Sequence, residues 1–381
     1  MHWLSGWAYR RKLTIDSNKV SSTLSNFPVL IHLSSSSGLN GLDVTSIFTL
    51  LGVNSKKIAV TDADNNELYV EIEEWDNSNN VAWLWVKVTS ISSSVDTTLY
   101  LYYDPTHADN DTYVGVTGST PAEAVWDSNF SLVCHMNDNP DTSSVMDSTS
   151  NDNDGTKKGA NEPNETDGQI GKAQSLDGSN DYIEFPADPD YKELNGKDLS
   201  AFMWIKTSAV QTGVNDYGVG LVGSYGISIP TPNQFWQLSI QRNTATAHAV
   251  VLYRRDNNTE LKWLIGTSVI NDGEPHFVGF IKRGLVLELW VDGAKENSGT
   301  LTQDGDTDNN ANLLLGVFYN SYYEGDTDEV QINNDAWSSA WVGASYETQR
   351  DNLINFGVQN TIVGLDFIMG KEWIDYMGDS E

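Results

Sequence analysis

Apolar and polar positions alternate in short runs along the first 335 residues, and Asn, Asp, Gly and Ser cut the runs apart. A period of two, with β-branched and aromatic enrichment, predicts strands, and helical periodicity is nearly absent. In the first 105 residues the runs are YRRKLTI, FPVLIHL, KKIAVTD, LYVEIEEW, VAWLWVKV and TLYLYY. Turn signals at this spacing predict an antiparallel sandwich. The stretch DPTHADNDTYVGVTGSTPAEA, rich in small and turn-forming residues, marks a linker, and the boundary is placed at Pro121. Strand-like runs resume beyond it, from AQSLDG and DYIEFP through LSAFMWIKT, FWQLSIQR and HFVGFIKRG to LVLELWVDG and DEVQIN. The Asp292-Gly293 dipeptide predicts a hairpin turn, because it tolerates positive φ.

Helix is predicted only in DAWSSAWVGASYETQRDNL, with Asp335 or Ser338 as cap and Trp337, Trp341, Tyr346 and Leu353 along one side. The terminal TIVGLDFIMGKEWIDYMGDSE is apolar for a tail, and is read as docking on a partner or on the chain itself. The pattern alone therefore gives an all-β chain of two sandwich domains in tandem, 1–121 and 122–360, with a short C-terminal helix and a tail at 361–381.

Composition narrows the partners. With 13 Trp, 16 Tyr and 11 Phe in 381 residues, there is enough apolar bulk for two cores. The 53 acidic side chains against 22 basic ones give a net charge of -31, which repels phosphate backbones and anionic membranes and excludes nucleic acid as a partner. Calcium binding, solubility and a merely solvated acidic surface all remain open as the reason for that charge. Cys134 is the single cysteine, so no intrachain disulfide forms, and its place in SLVCHM predicts a buried hydrophobe. No segment approaches the apolar length of a membrane span. The opening MHWLSGWAYRRKLTI has no apolar stretch of the signal-peptide kind. Surface location is then expected through assembly, as in virions.

Two resemblances follow from ordered motifs. WLSGWAYRRKLTI, LSNFPVLIHLS, LYVEIEEWDNSNNVAWLWVKV and TTLYLYYDP together resemble a family known as domain of unknown function 2341, which has no established activity. AVWDSNFSLVCHMND, DSTSNDNDGTKKGA, IGKAQSLDGSNDYIEF, LSAFMWIKT, HFVGFIKRGLVLELWVDG and DTDEVQIN resemble a laminin-G-like, concanavalin A-like jelly roll. The resemblance implies antiparallel jelly-roll sandwiches, common in surface proteins; one such fold hosts many functions.

Candidate sites are few. In DSTSNDNDG, Asp147, Asn151, Asn153 and Asp154 supply the oxygen ligands that Ca2+ prefers, and the resemblance adds Asp328 from DTDEV. The alternative is a set of Asx turns. Asp177 and Asp181 in LDGSNDY read as turn residues. For glycans, the loop FYNSYYEGD offers Tyr319, Asn320, Tyr322, Tyr323 and Glu324, whose rings stack on sugar C–H faces while the polar groups bond hydroxyls. Tyr217, Tyr225 and Trp236 form a weaker set. Glu71 and Glu73 share one strand face and are the best glycosidase pair, but they belong to the first domain's ordinary pattern, and no catalytic residue is assigned. A Gly-x-Ser-x-Gly elbow is missing, the six histidines are scattered, and GVGLVG lacks the rest of a nucleotide loop.

The expectation is a non-enzymatic surface or structural protein, a virion appendage or decoration subunit with glycan-binding capacity, extracellular or on a particle surface, homo-oligomeric and carrying structural Ca2+. The alternatives are a cell-surface adhesin, a polysaccharide-binding accessory module and a purely architectural subunit.

Overall fold

The computed structural model describes residues 3–362, apart from 139–142, 160–161, 188–196, 214–217, 225–232, 256–259 and the single positions 304, 306, 308 and 310. The docking tail expected at 361–381 therefore lies almost wholly outside the described residues, as do Tyr217 and Tyr225.

The chain is almost all β, as expected, in two stacked sandwiches. In the first, a sheet of Tyr9–Ile15, Ile58–Thr61, Glu67–Leu68, Thr97–Tyr103 and Ile354–Thr361 faces a sheet of Leu24–Leu33, Val70–Asp76, Val81–Ile91 and Val114–Val116. Alternation sets what each strand buries. Phe27, Val29, Ile31, Leu84 and Val86 turn into the core, while Leu30 and Trp85 turn out of it. In the second sandwich, a sheet running from Ser144–Val145 to the edge strand Glu260–Ile265 packs on one built around Glu324–Asn333, with the core between them. Cys134 lies fully buried in that core, as predicted.

The boundary at 360 needs correction. Ile354–Thr361 pairs antiparallel with Tyr9–Ile15, aligning Ile15 with Ile354 and Leu13 with Phe356. The jelly roll is thus an insertion between Val114–Val116 and the first domain's final strand. The edge of Tyr9–Ile15 needs a partner for its N–H and C=O groups, and residues distant in sequence supply it. The helix, Ser339–Thr348, is capped by Ser338, whose side chain accepts from the Trp341 N–H. Its buried face is small (Ala340, Val342, Ala344, Ser345 and Thr348) instead of the expected aromatic stripe. Trp337 and Leu353 flank the helix and are buried, and Trp341 and Tyr346 are half-buried.

An aromatic layer joins the sandwiches. Leu30, Trp85 and half-buried Trp83 come from the first domain, and Phe202, Trp204, Phe277 and Trp290 from the second. Trp126 from the connection that follows the linker, Phe130 from the jelly-roll strand Phe130–Cys134 and Trp337 from the return segment fill in between. Trp85 and Trp126 have centroids 5.3 Å apart, and Phe202 and Trp337 stack at 5.0 Å; such pairs each add about 1 kcal/mol beyond area burial. Hydrogen bonds reinforce the layer, since Trp204 Nε1 donates to Gln349 Oε1 at 2.6 Å and Leu30 N–H to Thr348 Oγ1 at 2.9 Å.

Two predictions follow. A Cβ on Gly279 would lie 2.1 Å from Phe202 Cδ1, so Gly279→Ala displaces the ring from this layer and costs about 2 kcal/mol in denaturant unfolding. At the Asp292-Gly293 turn, where φ is 51° and 78°, Asp292 accepts from the Phe277 N–H and pairs with His276 Nδ1 at 2.8 Å. The hydrogen bond to Asp292 outweighs partial burial and, with Asp272, holds the His276 pKa above its ordinary value. A raised folded-state pKa gives stability that is present below the unfolded value and is lost as pH rises through the folded one. The melting temperature should therefore fall by roughly 2 °C across that window, and His276→Gln should flatten the fall in pH-resolved calorimetry.

Candidate functional site

The most unusual chemistry lies between the domains. Val70 and Ile72 point into the first core, so the same strand sends Glu71 and Glu73 to the opposite face, against the second domain. A register shift between Ile72 and Glu74 adjusts Glu73. Across the boundary Cys134 enters the jelly-roll core, and alternation sends His135 outward. Glu329 has φ of 49° at a register shift in Glu324–Asn333, and that bulge buries both Asp328 and Glu329.

These side chains converge on His135. Its Nδ1 lies 2.5 Å from Glu329 Oε1 and 3.5 Å from Glu73 Oε2, and its Nε2 lies 3.4 Å from Glu71 Oε2. The side chains of His135, Glu71, Glu73 and Glu329 are 0–1% exposed. Neutral donors hold the carboxylates. Trp126 Nε1 and Thr117 Oγ1 each donate to Glu71 at 2.7 Å, Trp85 Nε1 donates to Glu73 Oε2 at 2.8 Å, and the Ile170 N–H donates to Asp328 Oδ2 at 3.0 Å. Burial, reinforced by neighbouring carboxylates, pushes Glu73 and Asp328 well above the usual carboxylate range. Burial alone would lower the His135 pKa, but Glu329, Glu73 and Glu71 outweigh it and hold the value well above the ordinary one. Among the described residues, Glu73, His135 and Glu329 are the three His/Cys/Asp/Glu side chains whose ligand atoms all lie within 4.8 Å of one another.

Sequence reasoning singled out Glu71 and Glu73 but not their meeting with His135 and Glu329. The available signal was charge inside apolar, Trp-flanked strands; the partners lie in segments more than 50 residues apart. The candidate glycosidase pair Glu71 and Glu73 is buried, with Trp126 and Trp85 donating to its carboxylates.

The expected calcium set is only partly assembled. Asp147 Oδ1 accepts from the Val133 and Thr149 N–H groups, and Oδ2 from Thr149 Oγ1 and the Asn153 N–H. Those four donors use the four lone-pair sites of a carboxylate, while burial pushes the Asp147 carboxyl up to about 6. Asp154 Oδ1 accepts from the Asp147 N–H, and Asn151 and Asn153 donate to the Phe130 and Ser131 carbonyls. The loop is a set of Asx turns that staples the chain, and Asp328 belongs to the interdomain cluster and shares no hydrogen-bond partner with it. These residues do not fit a calcium ion. Asp177 caps its own turn by accepting from the Ser179 N–H.

The Tyr-rich loop forms the hairpin of Val317–Phe318 and Ser321–Tyr322, with Tyr319 (φ 48°) and Asn320 (φ 57°) at its tip. Tyr319 is 37% exposed; Asn320 and Glu324 are also exposed. Tyr322 is half-buried with its ring 6.4 Å from Tyr182, and Tyr323 is fully buried in the jelly-roll core, out of a ligand's reach. Trp236 is likewise core.

A residue missed in the sequence is Trp263. It stands 51% exposed on the edge strand Glu260–Ile265, the one exposed tryptophan among the described residues. Paired with Leu252, it shares the sheet's outer face with Phe235, Val250, Ile265 and Phe318, where the tyrosine hairpin packs. Arg254 lies on that face 5.5 Å over the Phe235 ring.

Comparison with known proteins supports the two-part reading. Residues 54–119 match the family profile of a domain of unknown function, 2341, and residues 177–343 that of the concanavalin A-like lectin/glucanases superfamily. No curated protein matches the chain. Among solved structures, the binding domain of Paraclostridial mosquitocidal protein 1 is 15% identical at a TM-score of 0.46, over 58% of this chain and 52% of that one. Domain 4 of AbnA, an extracellular arabinanase from Geobacillus stearothermophilus solved with arabinotriose, is 21% identical at 0.42, over 57% and 98%. The receptor-binding domain of botulinum neurotoxin C/D mosaic serotype is 16% identical at 0.44, over 59% and 55%. The chain thus carries a module of the domain-of-unknown-function-2341 family followed by a concanavalin A-like, laminin-G-like jelly roll.

Proposed function

We propose that this is a non-catalytic surface protein whose jelly roll binds glycans on the outer face of the sheet that ends at Glu260–Ile265. The observation that carries the reading is the half-exposed indole of Trp263 on that face. A half-exposed indole offers a flat apolar surface, and a sugar's C–H face is shaped to stack on it. Tyr319 at the hairpin tip adds a second exposed ring, and Asn320 and Glu324 add hydroxyl partners. This face lies on the far side of the jelly roll from the first domain; Phe235, Val250, Leu252 and Phe318 are buried on it, and Trp263 and Tyr319 are its exposed rings.

The interior position of Glu71 and Glu73 supports binding over hydrolysis, since their carboxylates are committed to Trp126, Thr117 and Trp85. The same reading places the chain on a particle or cell surface, as a virion decoration subunit or an adhesin, in homo-oligomeric assembly. A net charge of -31 keeps such copies apart from nucleic acid and from anionic lipid.

On a glycan array the full chain should retain a defined set of oligosaccharides, and Trp263→Ala should weaken the strongest by about tenfold or more without shifting the melting temperature. Tyr319→Ala should weaken it less. Retention of every glycan by Trp263→Ala would refute this face. Incubation with polysaccharides should release no reducing sugar, and release that disappears in Glu71→Gln would overturn the non-catalytic reading.

A further inference from the structure

We propose that Glu73, His135 and Glu329 hold one divalent transition-metal ion that clasps the two domains together. The case rests on charge and on unmet bonding. Four carboxylates, those of Glu71, Glu73, Asp328 and Glu329, gather around one imidazole, and among the described residues neither Lys nor Arg pairs with any of them. Even a doubly protonated His135 leaves three negative charges if all four are ionised. Indole, hydroxyl and backbone donors contribute only dipoles. Without a cation, burial answers that excess by keeping Glu73 and Asp328 protonated; a bound cation would answer it with all four ionised.

One buried atom beside the cluster points independently to a missing partner. Asp328 Oδ1 has no hydrogen-bond partner, although it is shielded from solvent. The Asp328 carboxylate lies within electrostatic reach of His135 and Glu73, so its unmet oxygen adds to the same negative field.

The donor set selects the ion. One imidazole nitrogen and two carboxylates suit Zn2+ or Mn2+ better than Ca2+, which prefers an all-oxygen shell. Nδ1 of His135 faces both Glu73 and Glu329, while Nε2 faces Glu71 Oε2. A carboxylate behind a metal-binding imidazole fixes the ring and its tautomer. Glu71 is suited to that positioning part, because Trp126 and Thr117 hold both its oxygens. Ligands from Val70–Asp76, from the end of Phe130–Cys134 and from Glu324–Asn333 make the ion a cross-link between the domains. A cleft of about 570 Å³, lined by Glu73, Glu74, Trp75 and Thr117, offers a route in.

The test is metal analysis of the full chain, purified without chelator, by inductively coupled plasma mass spectrometry. About one Zn2+ or Mn2+ per chain is expected. EDTA should remove it and lower the melting temperature, and added Zn2+ should restore both. His135→Gln, Glu329→Gln and Glu73→Gln should each bind metal at least tenfold more weakly. Should a variant fail to fold, Co2+ added to the chelated wild-type chain gives a second readout, a visible d–d absorption that Zn2+ displaces. A folded wild-type chain that holds no metal, takes up neither Zn2+, Mn2+ nor Co2+ on titration and melts alike with and without EDTA would overturn the proposal. Undiminished metal in folded variants of all three ligands would overturn it as well.

Discussion

Burying a carboxylate is among the most unfavourable things a fold can do, and this one buries Glu71, Glu73, Asp328 and Glu329 in one place. The interdomain layout answers that constraint. Indole N–H groups of Trp85 and Trp126 serve two purposes, since their rings belong to the apolar layer while their nitrogens meet Glu73 and Glu71. His135 supplies the facing positive group, and the bulge at Glu329 aims the last carboxylate. Removing one partner would strand the others, so the cluster acts as a unit and not as separate contacts.

The insertion topology follows the same logic. The chain leaves the first sandwich after Val114–Val116, builds the jelly roll, and returns through Ser339–Thr348 to complete the opening sheet with Ile354–Thr361. Two crossings and a shared aromatic layer leave little freedom between the domains. Trp263 and Tyr319 stand exposed on the jelly roll, away from that layer.

Much of the fold was legible in the sequence. Alternation placed the strands, Asp292-Gly293 announced its hairpin, Ser338 its cap and Cys134 its burial, because each depends on local chemistry. The insertion was not legible, since INFGVQNT is a short alternating run like many others and only pairing with YRRKLTI gives it a sheet. The cluster escaped for a related reason: Glu71, His135 and Glu329 are ordinary alone, and register brings them together. Asp147 shows the opposite error. An Asp- and Asn-rich loop satisfies calcium chemistry on paper, yet backbone N–H groups claimed its oxygens first. Trp263 was hidden among strand tryptophans, most of which are buried, because exposure depends on which strand is the edge.

The central claim is that the buried interdomain cluster makes the two sandwiches one cooperative unit. Native-state hydrogen exchange of the full chain, read by mass spectrometry, tests this most directly. The account predicts that the amides of Val70–Asp76, Phe130–Cys134 and Glu324–Asn333 exchange together, through one opening, and that Glu329→Gln accelerates all three alike. Exchange of Val70–Asp76 through a separate, lower-energy opening, with Glu324–Asn333 unaffected, would contradict it.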